Sequence, residues 1–177
     1  MPDGILARSI DDLPIAVIDV ETTGISPSWD RVIELSVVRV EPVTGARTLV
    51  FDSLINPEQS VGATHVHGIT DAMVRKAPRF AQVWPDIRAA LAGCVVAAYN
   101  ASFDMNFLRV ETEAAGEPVA PPHVCMMYLR PLIGIGERCT LAEACRAHGV
   151  ALGDAHRAAA DAMATAAMVP AYLQAMR

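Results

Sequence analysis

The chain has 177 residues, a hydrophobic fraction of 53% and a formal net charge of −6. This length suits a single domain over residues 1–177, with a core of about 14–169, and the hydrophobic fraction argues against disorder. No apolar run approaches the roughly 20 residues of a membrane-spanning helix, and the first residues lack the pattern of a secretory signal. We therefore expect a cytoplasmic protein with no membrane partner. The negative charge argues mildly against a tight, non-specific duplex binder, although bound cations would offset it.

The first part of the chain predicts three strands. Residues 15–20 form a short β-branched run that suits a buried strand, and residues 31–41 predict a second strand after a loop marked by Gly24 and Asp30. Residues 47–55 predict a third strand. Successive strands with short connections favour an antiparallel meander.

The second part of the chain predicts helices that alternate with short strands. Thr140 and Glu143 form a capping box, Thr70 is the expected N-cap of a short helix, and Asp154 is the expected N-cap of a long alanine-rich helix. The predicted elements are helices at 71–76, 80–92, 102–115, 140–148 and from 155 towards 176, a strand at 94–99, and a strand that passes into a helix at 123–132. This order predicts an α/β fold with a mixed sheet.

The cysteines show no metal-binding or disulfide pattern. There are four, with no Cys-x-x-Cys pair: Cys94, Cys125, Cys139 and Cys145. They are predicted to be buried thiols in a reducing cytosol.

Two acidic residues lie at the end of the first predicted strand. Asp19 and Glu21 are two positions apart, so on a strand they point to the same face and can reach one metal pair. The alternative is a strand that simply ends in polar turn residues. Immediately after them come Thr22, Thr23 and Gly24, where a sharp turn and exposed N–H groups could meet a phosphate or a terminal hydroxyl.

Asp104 lies at the start of a helix that follows a strand, which is where α/β proteins form ligand sites. It could instead favour the positive end of the helix, and Ser102 could cap it. Asn100 could hold a carboxylate or the substrate. Phe103 suits either the core or a stacking surface for a base.

His156 and Asp161 are five residues apart, about 1.4 turns of a helix. They can share a site if His156 lies at the helix entrance and Asp161 reaches in from the next turn. Histidine is suited to accept a proton from water near neutral pH, whereas the alternative is an exposed residue at a helix start. His65 and His67 lack a third soft ligand nearby in sequence, so a substrate-side loop is favoured over a zinc site.

Four segments together resemble the DEDDh family of 3′–5′ exonucleases, which includes the proofreading subunit of bacterial DNA polymerase III. They are Asp19-Val-Glu-Thr-Thr-Gly24, His67-Gly-Ile-Thr70, Asn100-Ala-Ser-Phe-Asp104 and the stretch from His156 to Asp161. The resemblance extends from about residue 14 to residue 169. It implies an RNase H-like fold, with a five-stranded mixed sheet flanked by helices.

The resemblance also implies roles for individual residues. Two Mg²⁺ or Mn²⁺ ions would be held by Asp19, Glu21, Asp104 and Asp161, and His156 would be the general base for hydrolysis of the last phosphodiester. The product would be a nucleoside 5′-monophosphate. The residues implied to hold the 3′-terminal nucleotide are Thr23, Val66, His67, Asn100 and Phe103.

The chain departs from the family in three places. Tyr99 stands where the family usually has histidine, and Val124 and Cys125 lie where many members have Asp-Thr. The chain also stops soon after the resemblance ends, without the tail by which the proofreading subunit binds its polymerase. A stand-alone exonuclease or an excised domain is therefore favoured over a polymerase subunit.

The expected partner is the 3′ end of a single-stranded nucleic acid, with DNA favoured over RNA. A 3′ exoribonuclease of the oligoribonuclease type stays open, because sugar choice depends on contacts to the 2′-hydroxyl. A non-catalytic binding module is disfavoured, since such a protein has no need for four converging acids.

Overall fold

The computed structural model describes residues 13–153 and 156–177. Within these residues the elements in chain order are β1 (Ile15–Thr22), β2 (Val32–Val40), β3 (Arg47–Leu54), α1 (Thr64–His67), α2 (Asp71–Val74), α3 (Phe80–Leu91), β4 (Val95–Ala98), α4 (Ala101–Ala114), β5 (His123–Cys125), α5 (Met126–Leu132), α6 (Leu141–Ala147) and α7 (Ala158–Met176). None of the helices in these ranges is both long and apolar enough to span a membrane.

The strands form one five-stranded sheet in the order β3-β2-β1-β4-β5. β1, β2 and β3 are an antiparallel meander, whereas β4 pairs parallel to β1 and β5 pairs parallel to β4. The predicted five-stranded mixed sheet is therefore confirmed. The carboxyl ends of β1 and β4 lie at the same edge of the sheet, which is the place where α/β proteins commonly bind ligands.

Apolar layers cover both faces of the sheet. Along β1, Ala16, Ile18 and Val20 pack into a core with α3 and α4. Ile15 and Val17 face the opposite layer, where α6 and α7 pack. Because side chains alternate along a strand, Asp19 and Glu21 continue the second set and lie on the α7 side.

Several boundaries differ from the prediction by a few residues. β1 continues to Thr22, so Asp19 and Glu21 both lie within the strand. The N-cap position of α4 is Asn100, not Ser102. α2 ends at Val74, and Thr70 is its N-cap without making a side-chain capping bond.

The long C-terminal helix begins later than the sequence predicts. α7 starts at Ala158 because His156 has a left-handed backbone with φ of 64° and Arg157 is extended, at φ −124° and ψ 123°. Neither conformation continues a helix. The expected N-cap, Asp154, and the predicted first helical residue, Ala155, lie outside the described residues.

The stretch that carries His65 and His67 was predicted as a loop, and this was wrong because it forms the single-turn helix α1. Left-handed residues at both ends, Ala63 and Gly68, keep it short.

The prediction of buried thiols holds for two of the four free cysteines. Cys94 and Cys145 are buried, and Cys125 and Cys139 are half-buried.

We expect Thr140→Ala to lower the free energy of unfolding by about 1 kcal/mol, because the Thr140 hydroxyl accepts the Glu143 N–H at 3.3 Å in the predicted capping box. This corresponds to a fall of roughly 2–4 °C in Tm. The matched control is Thr70→Ala, since Thr70 occupies the same helix position without a capping bond. Equal losses in the two variants, measured by thermal unfolding, would contradict the capping argument.

Candidate active site

Three of the predicted site residues meet between β1 and the start of α7. Glu21 projects from β1, Asp161 lies in the first turn of α7, and His156 precedes that helix. One possible ligand atom from each of these residues lies within 4.8 Å of those of the other two. Two segments separated by more than 100 residues in sequence therefore supply a single cluster.

Asp104 reaches the same end of β1 from the first turn of α4. It is 4% exposed, and its Oδ1 accepts the Val20 N–H at 3.1 Å. Because Val20 lies between Asp19 and Glu21, this bond fixes Asp104 beside them. The four predicted carboxylates thus gather around the last residues of β1.

The crowding of these carboxylates changes their acidity. Burial is the main cause that raises the pKa of Asp19 well above its usual value, and the charges of Asp104, Asp161, Glu21 and Glu34 add to it. Burial, with the charge of Asp161 next, raises the pKa of Glu21 to about 7. Burial also raises the pKa of Asp104 to about 7 and raises that of Asp161. The ionised cluster is therefore unfavourable without a cation.

The cluster fits divalent cations. Oδ1 of Asp161 is buried without a hydrogen-bond partner, which is a costly state for a carboxylate oxygen. Hard cations such as Mg²⁺ and Mn²⁺ prefer oxygen ligands, and a cation beside Asp161 would satisfy this atom and offset the repulsion. The donor set suited to hold such cations is Asp19, Glu21, Asp104 and Asp161.

His156 is held by its backbone and presents an exposed side chain. Its N–H donates to Oδ2 of Asp161 at 3.2 Å. This bond explains how two residues that do not share a helix face can share a site. The left-handed backbone at His156 carries a cost for a non-glycine residue, so surrounding contacts must maintain it.

Glu34 and Arg157 also belong to this site, and the sequence analysis missed both. Glu34 lies on β2 directly opposite Glu21, beside an irregularity in the pairing at the end of β1. The Arg157 guanidinium donates to both oxygens of Glu34, with its shortest contact at 2.6 Å. An acid between Ile33 and Leu35 in an apolar strand was the available signal, of the kind that identified Asp19.

The predicted substrate residues at the end of β1 have internal partners. Thr22 Oγ1 donates to the Gly24 carbonyl at 2.6 Å. Thr23 Oγ1 donates to Asp30 and accepts the side-chain N–H of Gln59, both at 3.0 Å. The backbone bends at Gly24 as predicted, and a Cβ there would meet the Asp30 carboxylate at 2.5 Å, so close approach is a second reason for this glycine.

α1 is held against the same edge. A Cβ on Gly62 would collide with the Thr23 carbonyl oxygen, so the chain leading into α1 packs directly on the end of β1. His67 is buried, with Nδ1 accepting the Ile69 N–H at 3.0 Å and Nε2 3.1 Å from the Gly62 carbonyl oxygen. The His67 ring therefore joins the segments on either side of α1, whereas the neighbouring Val66 is 45% exposed.

Asn100 and Phe103 lie on the α4 side. Asn100 is exposed, and its side chain does not cap α4. Phe103 is half-buried and contacts Phe107, with ring centroids 4.9 Å apart. Part of the Phe103 ring packs on the core, and part stays accessible.

A sequence profile described as an exonuclease, of the RNase T family, matches residues 16–169. The chain is 35% identical over 165 residues to a DNA polymerase III PolC-type protein of Oceanobacillus iheyensis, covering 89% of this chain and 11% of that protein. It is 35% identical over 165 residues to a DNA polymerase III subunit epsilon-like protein of Rhodobacter capsulatus, covering 89% and 23%. The chain thus spans less than a quarter of the length of these relatives.

Solved structures with the same fold include two nucleases in complex with nucleic acid or nucleotide. Escherichia coli exonuclease I bound to a dT13 oligonucleotide superimposes with a TM-score of 0.75 at 19% identity, covering 90% of this chain and 41% of that one. The nuclease domain of 3′hExo, a DEDDh family member bound to rAMP, gives a TM-score of 0.77 at 19% identity, covering 91% and 92%. These likenesses show an RNase H-like fold. By its sequence profile, the chain belongs to the RNase T exonuclease family.

Proposed function

We propose that this chain acts as a single exonuclease domain that removes nucleoside 5′-monophosphates from the 3′ ends of single-stranded DNA. The observation that carries the proposal is the gathering of four carboxylates around the end of β1, with His156 beside Glu21 and Asp161. Such a cluster is unfavourable unless cations neutralise it, and cations held in this way are what two-metal phosphodiester hydrolysis requires.

Two divalent cations, Mg²⁺ or Mn²⁺, are the proposed cofactors, held by Asp19, Glu21, Asp104 and Asp161. When bound, the cations supply the positive charge that stabilises the developing charge on the phosphate. The buried position of Asp104 and its bond to the Val20 N–H supply a rigid support for this set.

His156 is the proposed general base. Its side chain is exposed and stands beside the carboxylates, so it can accept a proton from a water molecule that approaches the phosphate. The bond from the His156 N–H to Asp161 fixes the backbone position from which the imidazole projects. The residue that takes the proton is therefore tied to a residue that would hold a cation.

The proposed site for the terminal nucleotide lies along the same edge of the sheet. The exposed Val66 and the accessible part of Phe103 offer apolar contact for a base. Asn100 is exposed at the N-cap position of α4, the helix that carries Asp104, and can offer hydrogen bonds. Thr22, Thr23, Gly24 and His67 contribute mainly by shaping the backbone, since their side chains or packing positions are already engaged.

DNA is favoured over RNA as the substrate because the relatives that share 35% identity are named as DNA polymerase III proteins. A 3′ exoribonuclease is the second candidate, since the DEDDh nuclease domain of similar fold binds rAMP. The deciding experiment is hydrolysis of end-labelled single-stranded DNA and RNA of equal sequence, with Mg²⁺, Mn²⁺ or EDTA. Stepwise shortening of DNA from the 3′ end supports the proposal, faster shortening of RNA supports the second candidate, and binding without cleavage would indicate a non-catalytic module.

We expect Asp19→Ala and Asp161→Ala each to abolish hydrolysis while the fold is retained, because removing one acid from a mutually repelling cluster relieves strain. Product release and thermal unfolding measure the two properties. The control is Asp86→Asn, which replaces an exposed acid on α3 and should leave the rate unchanged. Retained activity in either cluster variant would refute the two-metal assignment.

We expect His156→Ala to lower kcat by about 10²–10⁴-fold, as for the loss of a general base, while Mn²⁺ affinity stays near that of the wild type. Mn²⁺ titration followed by electron paramagnetic resonance measures the affinity directly. His123→Ala, at an exposed histidine on β5, is the matched control. A collapse of Mn²⁺ affinity in His156→Ala would instead identify His156 as a metal ligand.

In EDTA we expect the protein to lose stability as pH rises from 5 to 8. Glu21 and Asp104 have folded pKa values of about 7, above their unfolded values of roughly 4. The folded state therefore binds more protons between these limits, and stability present at low pH is lost as pH rises through about 7. The free energy of unfolding should fall by on the order of a few kcal/mol. Adding Mn²⁺ should raise Tm by more at pH 8 than at pH 5.

Asp104→Asn provides the test of cause, because its amide cannot ionise and should flatten the dependence of Tm on pH. Asp86→Asn should leave the dependence as it is. A Tm that stays level from pH 5 to pH 8 in the wild type, or an equal Mn²⁺ effect at both pH values, would contradict this electrostatic account.

A further inference from the structure

Glu34 is a buried acid that the proposed mechanism does not use. It is 2% exposed and lies on β2 opposite Glu21. Both of its oxygens are occupied. Oε1 accepts from Arg157 at 2.6 and 3.1 Å, and Oε2 accepts from Arg157 at 3.2 Å and from the Ala158 N–H at 2.9 Å. With its acceptor positions engaged in this way, Glu34 is not available as a further metal ligand.

The partner of Glu34 is placed at the turn that carries the candidate base. Arg157 directly follows the left-handed His156 and is the N-cap residue of α7, but its side chain does not cap the helix. Glu34, on β2, caps α7 instead by accepting the Ala158 N–H. A carboxylate at this position also interacts favourably with the positive end of the helix.

These contacts hold the two ends of a short segment. Glu34 fixes Arg157 and Ala158, and Asp161 accepts the His156 N–H. The Asp161 N–H in turn donates to the Arg157 carbonyl at 3.0 Å. A left-handed non-glycine residue relaxes unless neighbouring contacts over-determine it, and the charge-assisted pair between Glu34 and Arg157 is the strongest such contact here.

We propose that Glu34 and Arg157 are positioning residues that aim His156 at the reacting phosphate. This inference rests on the proposed function, because it assigns the pair a role in placing the candidate base. It also means that correct placement of the base depends on a contact between residues 123 positions apart in sequence. The pair acts on turnover more than on substrate binding.

The expected result for Arg157→Ala is a fall in kcat of roughly 10- to 100-fold, as for a displacement of about 1 Å in a catalytic group. KM for single-stranded DNA and Mn²⁺ affinity should each stay within about threefold, since neither ligand contact is removed. Arg157→Lys should restore part of kcat, because it keeps the charge but loses the two-pronged geometry.

Glu34→Gln and the double variant Glu34→Gln with Arg157→Ala complete a double-mutant cycle. If the residues act as a pair, the double variant should be no slower than Arg157→Ala alone. The matched control is Arg39→Ala. Arg39 ties the carboxyl end of α3 to β2 through bonds to the Ala89, Ala90 and Ala92 carbonyls, so its loss should lower Tm without lowering kcat.

The alternative outcomes are distinct. The side chain of Arg157 is 44% exposed, so a rise in KM with unchanged kcat would identify it as a phosphate contact and overturn the positioning role. A loss of Mn²⁺ affinity in Glu34→Gln would overturn it in favour of a metal ligand. All measurements are made below the Tm of the least stable variant. If the wild type does not hydrolyse DNA or RNA with any divalent cation, the proposed function fails; if it does and Arg157→Ala retains its kcat, only the positioning inference fails.

Discussion

At the end of β1 the fold holds four carboxylates close together and partly or fully away from water, which costs free energy. Asp104 is buried and Asp19 is half-buried, and the charge of Asp104 raises the cost of ionising Asp19 and Glu21. A fold that relaxed freely would move these groups apart into water. The sheet prevents this, because β1 is paired on both sides and its apolar residues are buried in two layers.

Each acid is held by a different part of that scaffold. Asp19 and Glu21 follow from strand alternation, Asp104 from the first turn of the helix after β4, and Asp161 from the first turn of α7. The energy that stabilises the fold comes from apolar layers away from the cluster, so the site can remain unfavourable in itself. This separation is common where function requires a strained arrangement.

Glu34 shows how the protein treats an acid that it neutralises internally. Arg157 and the start of α7 satisfy its oxygens, whereas Asp161 retains a buried oxygen without a partner. Arg157 also lowers the pKa of Glu21, against the larger effect of burial. The charge of Glu34 is thus neutralised within the protein, whereas the other acids of the group remain available to cations.

Local sequence patterns were enough to predict most helices and strands and the residues whose signatures span a few positions. The meander, the capping box at Thr140 and the shared face of Asp19 and Glu21 follow from periodicities of a few residues. The sequence did not reveal the left-handed turn at His156, the internal bonds of His67 or the pairing of Glu34 with Arg157. Each of these features depends on which distant groups meet a given atom in the folded chain. Hydrogen bonds and charges act over a few ångströms in space, and the distance between two residues along the chain does not specify that separation.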